Sequence, residues 1–201
     1  MSKVKKQQDK NARKGQIRII SGQHRGRKLP VLLADGLRPT TDRVKETVFN
    51  WLMPYIQDSN CLDCFAGSGS LGFEALSRGA SAVTLVELNK AAAQQLKSNK
   101  SLLQAQQMQV IQQNALAFLQ QNQERFSLVF LDPPFRQGLA QQSAELLAAK
   151  GLTDDALIYV EMEADHNQQA MPSHWQLLKE KIAGQVIYRL YQNSQQPKCT
   201  I

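Results

Sequence analysis

The pattern of apolar and polar positions becomes regular from residue 60 onward. Short runs of Val, Leu, Ile and Phe alternate there with longer stretches in which apolar residues recur three or four positions apart, so buried strands should alternate with amphipathic helices. The predicted strands are residues 60–65, 82–87, 108–112, 126–131 and 156–162. The predicted helices are residues 70–78, 90–103, 115–121 and 139–150. This alternation predicts an α/β fold with a parallel sheet covered on both faces.

Both ends of the chain depart from this alternation. Residues 175–182 and 185–192 read as two strands joined tightly at Gly184, which predicts an antiparallel pair. Near the N-terminus, residues 17–20 and 27–31 flank a glycine-containing turn and predict a small basic hairpin. The sheet is therefore expected to end on antiparallel strands and to carry an N-terminal extension.

A helix follows the hairpin, and a polar residue among positions 40–42 can cap its start. It is predicted to end before Pro54, because proline cannot continue a helix. The predicted organisation is a disordered basic tail at residues 1–15, a hairpin-and-helix extension at residues 16–54 and the main domain at residues 55–201.

Positive charge is concentrated at the N-terminus. Residues 1–30 hold ten Lys and Arg and one acid, which gives +9, whereas residues 31–201 hold fourteen Lys and Arg and sixteen acids, which gives −2. Such asymmetry indicates a polyanionic partner. For residues 1–14 alone, a solubilising tail is an equal alternative.

The remaining composition indicates a cytoplasmic location and no membrane partner. No apolar run approaches the roughly 20 residues needed to cross a bilayer, and the basic start is not followed by an apolar stretch. Three cysteines without a signal segment fit a reducing compartment. The pair Cys61 and Cys64 has the spacing of a metal or redox motif, but no second pair accompanies it, and small core residues are the better interpretation.

A glycine loop connects the first strand of the main domain to its helix. The segment from Gly67 to Gly72 has the pattern G-x-G-x-x-G, in which glycines allow a sharp turn and the close approach of a ligand to the backbone. Glu87 ends the next strand, twenty residues after Gly67, where a carboxylate can accept hydrogen bonds from both ribose hydroxyls. These features predict a ligand that contains a nucleoside.

Asp63 favours S-adenosylmethionine over a dinucleotide. A dinucleotide places pyrophosphate at the helix N-terminus, where a carboxylate four residues before Gly67 would repel it. S-adenosylmethionine carries an ammonium and a sulfonium and no phosphate, so it suits an acidic neighbour. The alternative is that Asp63 orients the loop by accepting hydrogen bonds from backbone N–H groups.

The strand at residues 126–131 ends in Asp132-Pro133-Pro134-Phe135. Proline fixes its own φ angle and pushes the preceding residue toward extended geometry, so this bend is rigid. On its own, a double proline followed by an aromatic residue often only ends a strand and plugs the core.

The chain resembles the class I methyltransferases that depend on S-adenosylmethionine. Three segments carry the resemblance, in this order: LDCFAGSGSLGFEALSRGA, VTLVELN and LDPPF. The tetrapeptide is similar to the motif of enzymes that methylate exocyclic amines of bases. The N-terminal part resembles the RsmD family in the segments IRIISGQHRGRKL and LRPTTDRVKETVFNWL. This family makes N2-methylguanine in bacterial 16S ribosomal RNA, at a guanine of the 966 type. The resemblance covers residues 16–192.

The resemblance implies a Rossmann-like, seven-stranded, mostly parallel sheet with an antiparallel last strand. It implies a direct in-line methyl transfer without a metal, in which Asp132 and the Pro133 carbonyl accept hydrogen bonds from the target amine and Phe135 stacks on the extruded base. It implies that the cofactor lies against Asp63, Ala66, Gly67, Ser68, Gly69, Glu87, Leu88 and Asn114. Relatives often have Asp at position 114, where the Asn carbonyl can still accept from the adenine amine.

The basic N-terminal segment is expected to contact the RNA. The proposed contacts are Arg18, His24, Arg25, Arg27, Lys28, Arg38, Arg43 and Arg136. The partner implied by the resemblance is 16S ribosomal RNA within the small subunit or an assembly intermediate, and the protein is expected to be a monomer. Glu161 and Glu163 come at the end of another strand, where they could face the site, but solvated loop acids are the preferred interpretation.

Three alternatives remain open at this point. A dinucleotide-dependent oxidoreductase would explain the glycine loop and Glu87, but not Asp63 or the rigid bend. A non-catalytic RNA-binding protein would have no need of an intact loop and bend. An amine methyltransferase that acts on DNA adenine or on a protein glutamine shares the bend, and only the N-terminal resemblance argues against it.

Overall fold

A central sheet with helices on both faces forms the core of the structure. The computed structural model describes residues 13–33, 42–135, 137–164 and 170–194. The strands are β1 (Arg13–Arg18), β2 (Lys28–Leu33), β3 (Asn60–Asp63), β4 (Ala82–Glu87), β5 (Met108–Gln112), β6 (Phe126–Leu131), β7 (Leu152–Glu163), β8 (Trp175–Ala183) and β9 (Val186–Asn193). The helices are α1 (Asp42–Leu52), α2 (Ser70–Ser77), α3 (Lys90–Leu103), α4 (Ala115–Gln121) and α5 (Leu139–Lys150).

The sheet has seven strands in the order β5-β4-β3-β6-β7-β9-β8. Strands β3 to β7 run parallel to one another, whereas β9 runs antiparallel to both β7 and β8. The predicted mostly parallel sheet with an antiparallel last strand is confirmed. The chain winds outward from β3 to β5 and then returns to β6 on the other side of β3. Ligands bind at the carboxyl ends of strands beside such a reversal.

Two apolar clusters cover the two faces of the sheet. One contains side chains of α1, α2 and α3 together with those of the β1–β2 hairpin, and the other contains side chains of α4 and α5. Successive strand residues point to opposite faces, so each strand contributes to both clusters. Phe130 and Tyr159 lie in the first cluster, and Leu131 and Val160 lie in the second.

The hairpin is anchored to the main domain through two buried polar side chains of α2. The Glu74 carboxylate accepts hydrogen bonds from the backbone N–H groups of Ile20 (2.8 Å) and Ser21 (3.1 Å). The Ser77 hydroxyl accepts from the backbone N–H of His24 at 3.0 Å. Since these anchors are buried, the N-terminal segment shares the core of the main domain. The predicted division into an extension at residues 16–54 and a main domain from residue 55 therefore stays a prediction about which part binds RNA.

The close packing of the hairpin on α2 predicts a stability difference between two glycines. Gly22 has φ +81°, and a Cβ there would overlap the Ser77 carbonyl group, whereas Gly26 has φ +83° with open space around it. Gly22→Ala should lower the free energy of unfolding by about 2–5 kcal/mol, because a clash adds to the left-handed backbone cost. Gly26→Ala should cost only the backbone part, about 1–2 kcal/mol. Urea denaturation of both variants measures the difference, and equal losses would contradict the packing argument.

Most predicted boundaries agree with the structure, and the differences lie at strand ends. Strand β7 begins at Leu152, four residues before the predicted start. Residues 13–15 were predicted to be part of the disordered tail, but they pair with residues 31–33 in the hairpin. Residues 1–12 lie outside the described residues, as do Arg38 and Arg136. In the described ranges, no helix is long and apolar enough to cross a membrane.

Candidate active site

The glycine loop between β3 and α2 is held in a tight turn by backbone and carboxylate contacts. Gly67 and Gly69 adopt φ values of +50° and +76°, and the Gly69 N–H donates to the carbonyl of Ala66 at 2.6 Å. The N–H of Gly67 donates to Glu87 Oε2 at 2.8 Å. The acid at the end of β4 therefore fixes the loop in addition to facing the predicted ribose position. Ser68 lies partly exposed at the tip of the loop.

The three glycines of the loop motif serve different purposes. A Cβ at Gly69 would lie 2.6 Å from Leu96 and 2.7 Å from Phe73, and one at Gly72 would overlap Leu85. These two positions thus allow helices to pack closely on the sheet. A Cβ at Gly67 would meet only the Phe65 carbonyl oxygen, at 3.9 Å. Gly67 is the glycine whose missing side chain leaves room for a ligand.

Asp63 ends β3 beneath the loop and is 2% exposed. Its Oδ2 accepts a hydrogen bond from the backbone N–H of Gly72 at 3.2 Å. Burial raises the pKa of the Asp63 carboxyl to about 7, even though the Gly72 bond acts in the opposite direction. The carboxylate does orient the backbone, and a cationic ligand group nearby would also favour its charged form.

The other predicted cofactor residues lie at the ends of β4 and β5. Glu87 Oε1 accepts from the backbone N–H of Asn89 at 2.7 Å, and Leu88 between them is 64% exposed. A large exposed apolar side chain beside the ribose position can cover a flat base. Asn114 is exposed and caps α4, with its Oδ1 accepting from the N–H of Ala117 at 3.1 Å. Its contact with adenine stays a prediction.

The rigid bend after β6 lies next to the glycine loop, because β6 pairs directly with β3. Asp132 is partly buried and Pro133 is buried, whereas the Phe135 ring is 43% exposed. Asp132 comes two residues after Phe130, so both side chains point to the sheet face that carries Asp63. The structure therefore brings Asp132 and Asp63 to one edge of one face, while the direction of the Pro133 carbonyl stays a prediction.

Glu161 is the residue whose position the sequence interpretation got wrong. It belongs to β7 and is 8% exposed, so it is not a solvated loop acid. The Tyr159 hydroxyl donates to its Oε1 at 2.7 Å. The sequence signal that was missed is the alternation of the strand: residues 156–162 already contained Glu161, two positions after Tyr159 and therefore on the same buried face.

Burial and mutual repulsion perturb these acids. Burial, followed by the nearby carboxylates of Glu161 and Asp63, raises the pKa of Asp132 well above its usual range. Burial also raises the pKa of Glu161, although the hydrogen bond from Tyr159 opposes this shift. Perturbed acids at the carboxyl ends of parallel strands are typical of a functional site.

Basic side chains lie on the exposed face of the N-terminal segment. Arg18, Arg25, Arg27, Lys28 and Arg43 are exposed, and His24 is partly buried. Burial, together with Arg27, lowers the pKa of His24, which favours its neutral form. Helix α1 reaches the acidic edge of the sheet, because the Trp51 ring contacts Tyr188, the residue that pairs with Glu161, with ring centroids 5.8 Å apart.

The two cysteines of β3 and the following loop are buried on opposite faces of the sheet. Cys61 belongs to the first apolar cluster and Cys64 to the second. Burial raises the pKa of the Cys61 thiol to about 12, so it is a poor nucleophile. Over the described ranges of the chain, no group of three or more His, Cys, Asp and Glu side chains is placed to hold a metal ion.

Strand order and site together define the class of protein. Three features occur together at one edge of the sheet. They are the reversal of strand order between β3 and β6, the glycine loop with its acid at the end of β4, and the Asp-Pro-Pro-Phe bend. This is the architecture of a Rossmann-like methyltransferase.

Comparisons with known proteins then give the family. The chain belongs to the family described as conserved hypothetical protein 95, whose family model matches residues 17–192. Ribosomal RNA small subunit methyltransferase D of Escherichia coli strain K12 is 56% identical over 183 residues, which are 90% of this chain and 92% of that protein. The protein of the same name from Haemophilus influenzae is 59% identical over 195 residues, which are 94% of this chain and 100% of that protein. The RsmD family resemblance is thereby confirmed.

A solved structure shows the same arrangement. The putative methyltransferase yhhF from Escherichia coli superposes with a TM-score of 0.85 at 54% identity, covering 90% of this chain and 100% of that one. The match to the family model begins at residue 17, so it includes the N-terminal segment as well as the sheet.

Proposed function

We propose that this protein transfers a methyl group from S-adenosylmethionine to the exocyclic N2 of a guanine in 16S ribosomal RNA. The observation that carries the proposal is the position of Asp132: it begins a double-proline bend after β6, the strand that pairs with β3, and its carboxyl lies close enough to Asp63 to be influenced by it. The names of the two curated relatives support ribosomal RNA of the small subunit as the substrate.

The residues around the loop fit S-adenosylmethionine. The open space at Gly67 admits a ligand against the backbone, and buried Asp63 favours a cationic neighbour over a phosphate. Glu87 is expected to accept hydrogen bonds from the ribose, and exposed Leu88 is expected to cover the adenine. Ala66, Ser68, Gly69 and Asn114 complete the proposed cofactor contacts. S-adenosylmethionine, when bound, supplies a methyl group that its sulfonium has already activated.

The chain's own contribution is to orient the amine. The N2 lone pair of guanine is delocalised into the ring, so the amine is a weak nucleophile. Asp132 and the Pro133 carbonyl can accept its two N–H bonds, which fixes its direction of approach and stabilises the positive charge that develops on nitrogen. The exposed ring of Phe135 offers a stacking surface for a base that has left its helix.

The exposed basic residues of the hairpin and α1 form the proposed RNA surface, to which Arg38 and Arg136 would add. We propose that the protein acts as a monomer in the cytoplasm, on 16S ribosomal RNA in the small subunit or an assembly intermediate. The anchoring of the hairpin by Glu74 and Ser77 supports this surface, because it holds the positive charge in a fixed position relative to the site.

The deciding experiment is a gene deletion followed by mapping of methyl groups in ribosomal RNA. Loss of one N2-methylguanine from 16S RNA, restored by the wild-type gene, is the expected result. Loss of an N6-methyladenine, or loss of methylglutamine from a ribosomal protein with the RNA unchanged, would show that the target amine is not guanine N2. An unchanged RNA and protein methylation pattern would reject the proposal.

The RNA surface can be tested through the salt dependence of binding. Deletion of residues 1–30 is unsuitable, because Ile17, Ile19 and Leu29 are buried in the core. We expect the double variant Arg25→Gln, Arg27→Gln to make the slope of log affinity against log salt shallower by about 1–2. The reason is that a protein with fewer phosphate contacts releases fewer counterions when it binds RNA.

Filter binding between 50 and 300 mM salt measures this slope, and the affinity for S-adenosylmethionine should not change. The matched control is Lys179→Gln with Lys181→Gln, which removes the same charge from exposed positions of β8. Equal changes in slope for the two double variants would show that net charge, and not the hairpin surface, governs binding.

A further inference from the structure

The site contains a second carboxylate that the proposed chemistry leaves without a role. Leu131 of β6 pairs with Val160 of β7, so the next residues along the two parallel strands, Asp132 and Glu161, are adjacent. Both point to the same sheet face, because Phe130 and Tyr159 lie there two residues earlier. Two acids at the ends of neighbouring strands thus border the place proposed for the target base.

The Glu161 carboxylate is held in one orientation. Tyr159 is fully buried and its hydroxyl donates to Oε1 at 2.7 Å, while Oε2 receives no hydrogen bond from the residues that the structure describes. On the other side of β7, Tyr188 of β9 pairs with Glu161 and is itself fixed by the Trp51 ring. A carboxylate with one oxygen fixed, and with no hydrogen bond to the other oxygen from the described residues, is suited to a hydrogen-bond donor of a ligand.

The edge of guanine offers such a donor. Its exocyclic N2 carries two N–H bonds, and the adjacent ring atom N1 carries a third. Asp132 and the Pro133 carbonyl account for the two N–H bonds of N2, which leaves N1–H without a partner. Adenine and 2-aminopurine have an acceptor at N1 instead, so the same acceptor would repel their lone pair.

We propose that Glu161 accepts the N1–H hydrogen bond of the target guanine and so selects guanine over bases that lack this proton. The inference rests on the proposed function and assigns Glu161 a role in base recognition. It also explains why two acids lie side by side. Their repulsion in the free site is relieved by a base edge that presents N–H donors to both carboxylates, and no other common base presents three adjacent donors.

The test compares guanine with 2-aminopurine at the target position of the same RNA. 2-Aminopurine retains the 2-amino group but lacks the N1 proton. The wild-type enzyme should prefer guanine in kcat/KM by about 10-fold or more, which is typical of one buried hydrogen-bond mismatch. Glu161→Gln should lower this preference at least about fivefold, because an amide can donate to the N1 acceptor of 2-aminopurine.

Two further variants make the result specific. Tyr159→Phe keeps the buried ring but removes the donor to Oε1, so it should lower the preference in the same direction by a smaller factor. Glu145→Gln, on the exposed side of α5, should leave it unchanged. If a variant no longer turns over, equilibrium binding of the two RNAs with S-adenosylhomocysteine present gives the preference instead.

Different results would reject guanine methylation and the role of Glu161 in base recognition. If the wild-type enzyme does not methylate the guanine RNA, the proposed function is wrong. If it does, and Glu161→Gln lowers activity on both RNAs by the same factor, then Glu161 has only a structural role and the inference is overturned. A preference that falls in Glu161→Gln while its melting temperature stays near that of the wild type supports it.

Discussion

Asp132→Ala is expected to slow methyl transfer by about 10²–10³-fold, by analogy with the loss of one oriented hydrogen-bond partner in a closed site. The side chain lies just after β6 on a bend that two prolines hold rigid. It is not among the residues proposed for the cofactor, and S-adenosylmethionine affinity should change little. Single-turnover methyl transfer to ribosomal RNA and calorimetric titration of the cofactor measure the two quantities.

Asp132→Asn serves as the companion variant, because its amide oxygen still accepts one N–H bond. Its loss should be clearly smaller than that of the alanine variant. If the acid merely ended a strand, Asp132→Ala would be active in proportion to its folded fraction. A stable Asp132→Ala enzyme with full activity would therefore reject the catalytic role of the bend.

Gly67→Val is expected to reduce the affinity for S-adenosylmethionine by about 100-fold or more while the protein stays folded. A Cβ added at this position would meet only the Phe65 carbonyl oxygen, at 3.9 Å, so the branched side chain would extend into the volume proposed for the ligand. At Gly69 or Gly72 the same change would meet Leu96, Phe73 or Leu85 and would test packing instead. Isothermal titration calorimetry of the folded variant measures the loss.

The matched control is Gly184→Val in the β8–β9 turn. Gly184 has φ +63° and also faces open space, so valine there imposes a similar backbone cost at a distance from the loop. Its cofactor affinity should equal that of the wild type. Intact binding in Gly67→Val would show that the cofactor does not lie against this loop.

Much of the fold was predictable because it rests on local patterns. The boundaries of β4, β5, β6, α3, α4 and α5 agree with the prediction residue for residue. Each has a Gly, Asn or Asp within two residues of at least one end, and these residues punctuate secondary structure locally. The glycine loop and the bend were visible for the same reason, since contiguous residues with unusual backbone requirements leave a mark in the sequence.

The less accurate predictions involve contacts between distant segments. The start of β1 at Arg13 depends on pairing with β2, and the early start of β7 at Leu152 depends on its pairing with Phe126 of β6. Asn114 was considered only as an adenine contact, whereas the structure also uses it to cap α4. Strand ends are fixed by their partners, and a single segment does not carry that information.

By itself, the sequence determined the α/β class, the positions of the glycine loop and of the Asp-Pro-Pro-Phe bend, and the family to which the chain belongs. Only the tertiary structure decided that the hairpin is locked onto α2 through Glu74, and that Glu161 stands beside Asp132 instead of in solvent. The physical reason is the same in both cases. Each position depends on segments that are distant in the chain: the N–H groups of Ile20 and Ser21 meet Glu74, and the pairing of β6 with β7 brings Glu161 beside Asp132. A single segment does not carry the information about which distant segment it will meet.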